Sequence, residues 1–348
     1  MTTSEFWRGK RVLLTGHTGF KGSWMSHLLQ RLGAEVTGYS LAPATSPSLF
    51  TVSKLDKKIH SKIGDVRDLQ SLKQVYKECE PDIVFHMAAQ ALVRPSYVDP
   101  VSTYSTNVLG TVHLLEAARL IPSALAIVNV TSDKCYENFE REAGYREDEP
   151  MGGYDPYSNS KGCSELVTSA YRKSFQLKLA SGRAGNVIGG GDWSEDRLVP
   201  DCLKALELGK PILVRNPSSI RPWQHVLEPL SGYMLLAEKL AIQPEKFAQG
   251  WNFGPSEADA QPVSWIADRL VEEWGSAAKW EHVQTKNAPH EAHYLKLDCS
   301  KARGVLGWKP RLQLDQAIHW IVEWHKRFLK GEVADSICLS QIEQYLNL

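Results

Sequence analysis

Tyr157 and Lys161 stand four residues apart in YSNSK, a spacing that puts both side chains on one face of a helix. A free tyrosine ionises near pH 10, so at neutral pH it is a poor base unless a nearby positive charge favours its phenolate. With such a charge, Tyr157 could take a proton from a hydroxyl as a hydride leaves the same carbon. In isolation YxxxK is commonly a surface pair, and its weight here comes from what precedes it. Ser132 closes an apolar run 25 residues earlier. Near the start of the chain, TGHTGFKG spans 15–22 with glycines at 16, 19 and 22. Gly16 can make a tight turn, Gly19 lets backbone approach a pyrophosphate, and Gly22 allows close helix contact. The helix that opens here would turn free N–H groups and its positive dipole end toward phosphate. A tight structural turn is the plain alternative; the strand–turn–helix setting favours a dinucleotide cradle built from Gly16, Thr18, Gly19, Phe20, Lys21 and Gly22. A nicotinamide held there would supply both the hydride acceptor and the positive charge that Tyr157 needs.

These groups need a scaffold, and the hydrophobic pattern supplies one. RVLLT at 11–15 reads as a buried strand, 23–32 as a helix and 35–41 as a second strand, which together make a βαβ unit. Further buried strands fall at 83–88 and 126–130, separated by helical stretches at 68–79 and 100–119, and a strand at 179–183 follows the helix 157–175. This alternation predicts an α/β fold, a Rossmann-type doubly wound parallel sheet. Beyond Asn186, glycines and prolines break the pattern into shorter elements. The expected organisation is a dinucleotide-binding domain over 1–185, with returning segments near 224–254. A smaller lobe would be made from 186–223 and 255–348. Eight of the eleven tryptophans lie after residue 220, so indoles should organise the C-terminal core. The second strand ends in Ser40, where an acidic residue would usually meet the adenine ribose, and 41–44 offers no Arg or Lys to a 2′-phosphate. NAD is therefore expected rather than NADP. Asp65 and Val66 are placed to border the adenine, with a solvated turn as the alternative.

Composition removes other classes. The 348 residues are 43% hydrophobic, enough for a large core with an appended lobe. Forty basic residues balance forty acidic ones, so no global field draws the chain to nucleic acid or an anionic membrane. No window reaches the ~18 apolar residues of a membrane span, and the first residues lack an apolar signal region. A cytoplasmic location is expected. The six cysteines have no CxxC spacing and the histidines no metal spacing, so neither a disulfide framework nor a metal site is expected.

The ordered set TGxxGFxG, HMAAQ at 86–90, a Ser or Thr ending the next strand, and YxxxK resembles the extended short-chain dehydrogenase/reductase family across nearly the whole chain. Ala88, Ala89 and Gln90 take cofactor contacts by this resemblance. Thr131–Tyr136, TSDKCY, is similar to the nucleotide-sugar 4,6-dehydratase branch. Relatives acting on dTDP-glucose have Thr-Asp-Glu there, with the Asp protonating the departing C6 hydroxyl and the Glu removing the C5 proton. The chain has Lys134 in place of that Glu, as relatives acting on CDP-glucose do. The 4-epimerases of the family lack the acidic residue. The resemblance implies oxidation of C4, which makes the C5 hydrogen acidic, then loss of water across C5 and C6 and return of the hydride to C6. Tyr157 would deprotonate the C4 hydroxyl, Ser132 and Lys161 would orient it, and Asp133 would act as general acid. Asp133 must then be protonated, which requires burial or nearby negative charge. Lys134 is the candidate base, which asks for a neutral amine; it could instead stabilise the C5 enolate, or pair with Asp133 or Glu137.

The same resemblance assigns Asn186, Arg197, Leu198 and Arg221 to the substrate diphosphate, with Arg215 a looser candidate. Arginine's planar fork suits phosphate. His290 and Tyr294 in PHEAHY match a late motif near the nucleotide or sugar, with a structural tyrosine as the alternative. The implied substrate is CDP-D-glucose, and the implied product leads to the 3,6-dideoxyhexoses of bacterial O-antigens. A homodimer through the YxxxK helix and its predecessor is implied, with a tetramer as the alternative assembly. Two rivals remain: an NAD-dependent 4-epimerase, disfavoured by Asp133 and Lys134, and a non-catalytic dinucleotide-binding protein, which should have lost Tyr157, Lys161 or Asp133.

Overall fold

A computed structural model describes residues 4–275, 278–283 and 294–348. Seven strands form the central sheet: β1 (Arg11–Thr15), β2 (Glu35–Ser40), β3 (His60–Ile63), β4 (Ile83–His86), β5 (Ala126–Val130), β6 (Leu179–Arg183) and β7 (Gly250–Asn252). Their order is β7-β6-β5-β4-β1-β2-β3 and every neighbouring pair is parallel. This is the doubly wound Rossmann-type sheet expected from the alternation of apolar runs and helical stretches. Strands β4 and β5 are buried along their whole length, as a sheet covered on both faces requires. The order reverses between β1 and β4, which opens a crevice at the carboxyl ends of the strands.

The principal helices are α1 (Phe20–Arg31), α2 (Leu69–Cys79), α3 (Gly110–Leu120), α4 (Pro156–Phe175), α5 (Leu198–Glu207), α6 (Leu227–Ile242), α7 (Val263–Trp274), α8 (Leu314–Leu329) and α9 (Ala334–Leu346). Capping explains several starts. Asp68 accepts from the N–H groups of Gln70 and Ser71 to open α2, and Asp155 accepts from Ser158 N–H ahead of Pro156 to open α4. The stretch expected as one helix over 100–119 contains a π-type turn at Ser105–Leu109, of a kind that often marks functional sites.

Two cores divide the tryptophans. The first sets Trp7, Trp24, Trp251, Trp308 and Trp324 among residues of β1, β4 and β5; the second gathers Ile188, Val199, Val214, Trp223, Ile266 and Leu270. Helix α8 serves both, presenting Trp320 and Trp324 to the first and Ile318, Ile321 and Val322 to the second. Helix α9 joins the first core through Ile337, Cys338, Ile342 and Tyr345. The segment expected as smaller lobe at 255–348 is thus divided: α7 packs in the second core, whereas Trp308, much of α8 and α9 complete the first. Periodicity reports that a helix has an apolar face but not which surface covers it.

Glu228 fastens that C-terminal segment. Only 1% exposed, it accepts N–H bonds from Arg311 and Leu312 at 2.9 and 2.7 Å and the hydroxyl of Tyr345 at 3.0 Å. Burial pushes its pKa up from 4.5 to about 7 despite these bonds. The folded state therefore binds this proton more tightly than the unfolded chain, and stability falls as pH rises through 4.5 to about 7. Glu228→Gln keeps both acceptor contacts and cannot ionise. Its calorimetric melting temperature should match the parent's near about pH 4 and exceed it near about pH 8, by the equivalent of on the order of 3 kcal/mol.

Candidate active site

The glycine turn behaves as its spacing requires. Gly16 adopts φ +79°, and a Cβ there would stand 2.7 Å from Ala88 N, so only glycine lets this turn lie against the end of β4. A Cβ on Gly22 would collide with Gly16 O. Gly19 caps α1 with no side chain, leaving the first N–H groups of the helix open to an anion. Thr18 Oγ1 lies 2.9 Å from Ser40 Oγ and donates to Leu41 O at 2.8 Å, so two hydroxyls stand where an acidic residue is usual. The Asp65 carboxylate is held by Arg67, which keeps its pKa below the ordinary value, and buried Val66 packs under Gly110.

Across the crevice, Thr15 Oγ1 accepts N–H bonds from Met87 and Ala88 and pairs with His86 Nδ1 at 2.7 Å. Gln90 N–H donates to Asn107 Oδ1, while Asn107 Nδ2 donates to Gln90 O and to Ser160 Oγ. Asn107 lies in the π-type turn, and it ties the 87–92 loop, including Ala88, Ala89 and Gln90, to the helix carrying Tyr157 and Lys161. It was not a sequence candidate.

The carboxyl ends of β5 and β6 and the first turns of α4 bring the reactive residues together. Ser132 Oγ donates to Asp133 Oδ1 at 2.9 Å and accepts Lys134 N–H at 3.2 Å. Asp133 is 2% exposed, and its Oδ2 has no hydrogen-bond partner among the described residues. It rests on Gly185, where any Cβ would overlap the carboxyl group. Burial raises its pKa, against the opposing charges of Lys134 and Arg221 and the Ser132 bond. Burial pushes the Tyr157 phenol up to about 12, with the Ser132 side chain and the Arg197 charge acting to lower it. Lys161 donates to Val130 O at 3.3 Å, and burial lowers its pKa to about 8.

Lys21, expected only at the cofactor, reaches this same group. Its ammonium lies 5.5 Å from the Tyr233 ring centroid, and it feels the charges of Lys161, Arg197 and Asp133. Desolvation lowers its pKa to about 7. Tyr233, on α6, and Glu165, one turn beyond Lys161, were missed from sequence. Glu165 accepts from Thr131 Oγ1, Ser181 Oγ and Arg183 Nη2 at 2.5, 2.7 and 2.9 Å, anchoring the residue just before Ser132. Its four-residue spacing from Lys161 was available as a signal. Tyr233 had none, being 76 positions beyond Tyr157. A cavity of about 730 Å³ lies on the other side of the Glu165–Arg183 pair, lined also by Arg146, Glu147, Arg172 and Lys301; Ser132, Asp133, Tyr157 and Lys161 do not line it.

The expected diphosphate ligands divide. Arg197 acts electrostatically on Tyr157 and Lys21, and Arg221 on Asp133, so both cations border the site. Asn186 is held at φ +45° with its buried Nδ2 unpartnered among the described residues, a strained and unsatisfied donor of the kind found at ligand sites. Tyr294 bridges Ile220, next to Arg221. Leu198 opens α5 and packs against the second core. Arg215 follows the strand Ile212–Val214, and no contact among the described residues brings it to Asp133. His290 lies outside the described residues.

Comparison with known proteins fits this geometry. The GDP-mannose 4,6 dehydratase family profile matches residues 13–321. The chain belongs to this family. It is 54% identical to the CDP-glucose 4,6-dehydratase of Salmonella typhimurium, with 100% of this chain and 99% of that one aligned. The dTDP-glucose 4,6-dehydratase of Haemophilus influenzae is 25% identical over 90% of this chain and 97% of its own. Among solved structures, the dTDP-glucose 4,6-dehydratase of Bacillus anthracis in complex with NAD superposes with TM-score 0.78 at 21% identity, covering 91% of this chain and 96% of that one; this likeness shows the fold. The UDP-glucose 4-epimerase of Thermus thermophilus in complex with NAD gives 0.77 at 26% identity over 91% and 99%. Dehydratases and epimerases share the scaffold, so the fold does not choose between them. Family membership makes the chain a hydro-lyase of the sugar-dehydratase branch of the short-chain dehydrogenases. Among the described residues no group of His, Cys, Asp and Glu is arranged to hold a metal, and no helix is long and apolar enough to cross a membrane.

Proposed function

We propose that the chain binds NAD and converts CDP-D-glucose to CDP-4-keto-6-deoxy-D-glucose with loss of water. The observation that carries this reading is Asp133: a buried carboxyl biased toward its acid form, hydrogen-bonded by Ser132 and close enough to Tyr157 for its charge to act on the phenol. An epimerase needs a base and a hydride acceptor but no acid for a leaving hydroxyl. The 54% identity to a CDP-glucose enzyme supports the choice of sugar nucleotide.

The cradle at 16–22 suits a dinucleotide, since a Cβ at Gly16 or Gly22 would fill it and the start of α1 offers open N–H groups. When bound, NAD accepts a hydride from C4 and later returns it to C6. Tyr157 removes the C4 hydroxyl proton while Lys161 and Ser132 hold phenol and sugar oxygen in line. Lys134 removes the C5 proton or stabilises the enolate left there. Asp133 protonates the C6 hydroxyl, which departs as water. Asn186, Arg197 and Arg221 meet the diphosphate, with Arg215 a looser candidate there, and His290 and Tyr294 remain candidates for the nucleotide or sugar. The product is consumed, on this reading, in making the 3,6-dideoxyhexoses of bacterial O-antigens, in the cytoplasm. Exposed Val101, Leu109 and Leu166, on α4 and the helical run before it, favour a homodimer through these helices.

The test is a product assay with NAD and CDP-, dTDP-, UDP- and GDP-glucose. A 4-keto-6-deoxy product from CDP-glucose alone is the expected outcome. A galactose-configured product would make the chain an epimerase, and no turnover with any donor would favour a non-catalytic dinucleotide-binding protein.

A further inference from the structure

The segment 131–136, which carries Ser132, Asp133 and Lys134, leaves the carboxyl end of β5 and turns sharply. The bonds inside it are short-range: Lys134 N–H to Ser132 Oγ, Cys135 N–H to Ser132 O, and Ser132 Oγ to Asp133 Oδ1. They shape the turn without fixing where it sits relative to Tyr157 and Lys161. Side chains at its two ends do that. At the near end, Thr131 Oγ1 donates to Glu165 Oε1 at 2.5 Å. At the far end, the Tyr136 hydroxyl donates to Asn252 Oδ1 and accepts from Arg183 Nη1, each at 2.7 Å. Arg183 Nη2 in turn donates to Glu165 Oε2 at 2.9 Å, which closes a ring of hydrogen bonds from one end of the segment to the other.

The ring is anchored on the helix that carries the reactive pair. Glu165 lies four residues beyond Lys161 and eight beyond Tyr157, on one face of α4. Gly162 lets that helix lie against the segment, since a Cβ there would stand 2.5 Å from Gly152 O and 3.2 Å from Cys135 O. Arg183 Nη1 also donates to Glu147 O at 3.1 Å, and backbone bonds from Glu137 N–H to Pro150 O and from Gly152 N–H to Cys135 O tie the far end to the same 147–152 loop. The Glu165 and Arg183 side chains are only 4% and 7% exposed. A buried ion pair adds little net stability once desolvation is counted, but its charge-assisted hydrogen bonds have fixed directions. Its main consequence here is geometry.

Resting on the proposed function, we infer that Glu165 and Arg183 are positioning residues: together they grip both ends of segment 131–136 and hold Ser132, Asp133 and Lys134 in register with Tyr157 and Lys161. One helix thus presents the phenol and ammonium on its first turns and, farther along, the carboxylate that aligns the other half of the site.

Replacing Glu165 or Arg183 would strand a buried charge and endanger the fold, so the test cuts the ends of the grip instead. Full-length T131V, T131S, Y136F and S181A are compared with the parent in two readings. One is steady-state turnover of CDP-D-glucose with NAD; the other is amide hydrogen exchange of peptide 131–137, by mass spectrometry, with no ligand added. T131V and Y136F each free one end of the segment. In both, kcat should fall on the order of 10- to 100-fold with KM unchanged, and exchange of 131–137 should quicken. T131S keeps the hydroxyl and should restore both readings. S181A removes the 2.7 Å bond from Ser181 Oγ to the same carboxylate without touching the segment, so it should lower the melting temperature and leave kcat and exchange at the parent's values. Parent-like kcat and exchange in T131V and Y136F, or an equal loss of kcat in S181A, would overturn the inference. Failure of the parent to turn over any sugar nucleotide would instead count against the proposed function, and the exchange reading would still decide whether the pair holds the segment.

Discussion

Asp133→Asn should abolish release of the 4-keto-6-deoxy sugar, lowering kcat about 1,000-fold, while leaving oxidation at C4 intact. The reason is local. Asparagine is the size of the aspartate that rests on Gly185 and can still accept from Ser132 Oγ. It cannot release a proton to a departing hydroxyl. Because Asp133 is buried and Oδ2 is unpartnered, removing the ionisable group does not sacrifice a hydrogen bond at that atom. The melting temperature should therefore be unchanged or higher, which separates loss of chemistry from loss of fold. Product assays and single-turnover cofactor absorbance on the purified variant check both halves. Full dehydration by Asp133→Asn would refute the acid assignment.

Tyr157→Phe should remove the earlier step, with a loss of about 1,000 to 10,000-fold in kcat and no cofactor reduction in a single turnover. The ring remains to fill its place beside Ser132, so folding should be retained. The pH dependence gives an independent check. The phenolate is the active form, and burial raises the phenol toward about 12 in the unliganded protein. Lowering the pH therefore protonates the base and lowers kcat/KM, and raising it restores activity. Residual turnover of the variant should lose that rising limb. A variant that kept the parent's pH profile would place the base elsewhere.

Much of this protein was readable along the chain because the relevant forces act locally. Apolar runs separated by amphipathic stretches specify parallel strands and crossover helices without knowledge of their neighbours. The seven-stranded parallel sheet follows that reading. The glycines at 16 and 22 were legible for the same reason: both are required by backbone approaches within the turn or to the adjoining strand end. Tyr157 and Lys161 share a helical face by spacing alone, whereas the roles of Ser132, Asp133 and Lys134 came from resemblance.

Other features depend on contacts between distant parts of the chain. Lys21 reads as one more residue of the phosphate turn, yet its Nζ lies 3.5 Å from the hydroxyl of Tyr233, 212 positions away. The buried Glu165–Arg183 pair behind Thr131 joins α4 to β6, and Arg197 and Arg221 act on the site from the chain beyond β6. The division expected at 255–348 met the same limit, since α8 has apolar groups on two faces and each found a different core. By itself, the sequence determined the elements, the cradle and the spacing of the reactive pair, because each depends on residues near in the chain. Only the tertiary structure decided which charges surround Asp133 and how deeply it is buried. Electrostatics and desolvation act through space, and the chain brings those groups together only when the strand ends meet.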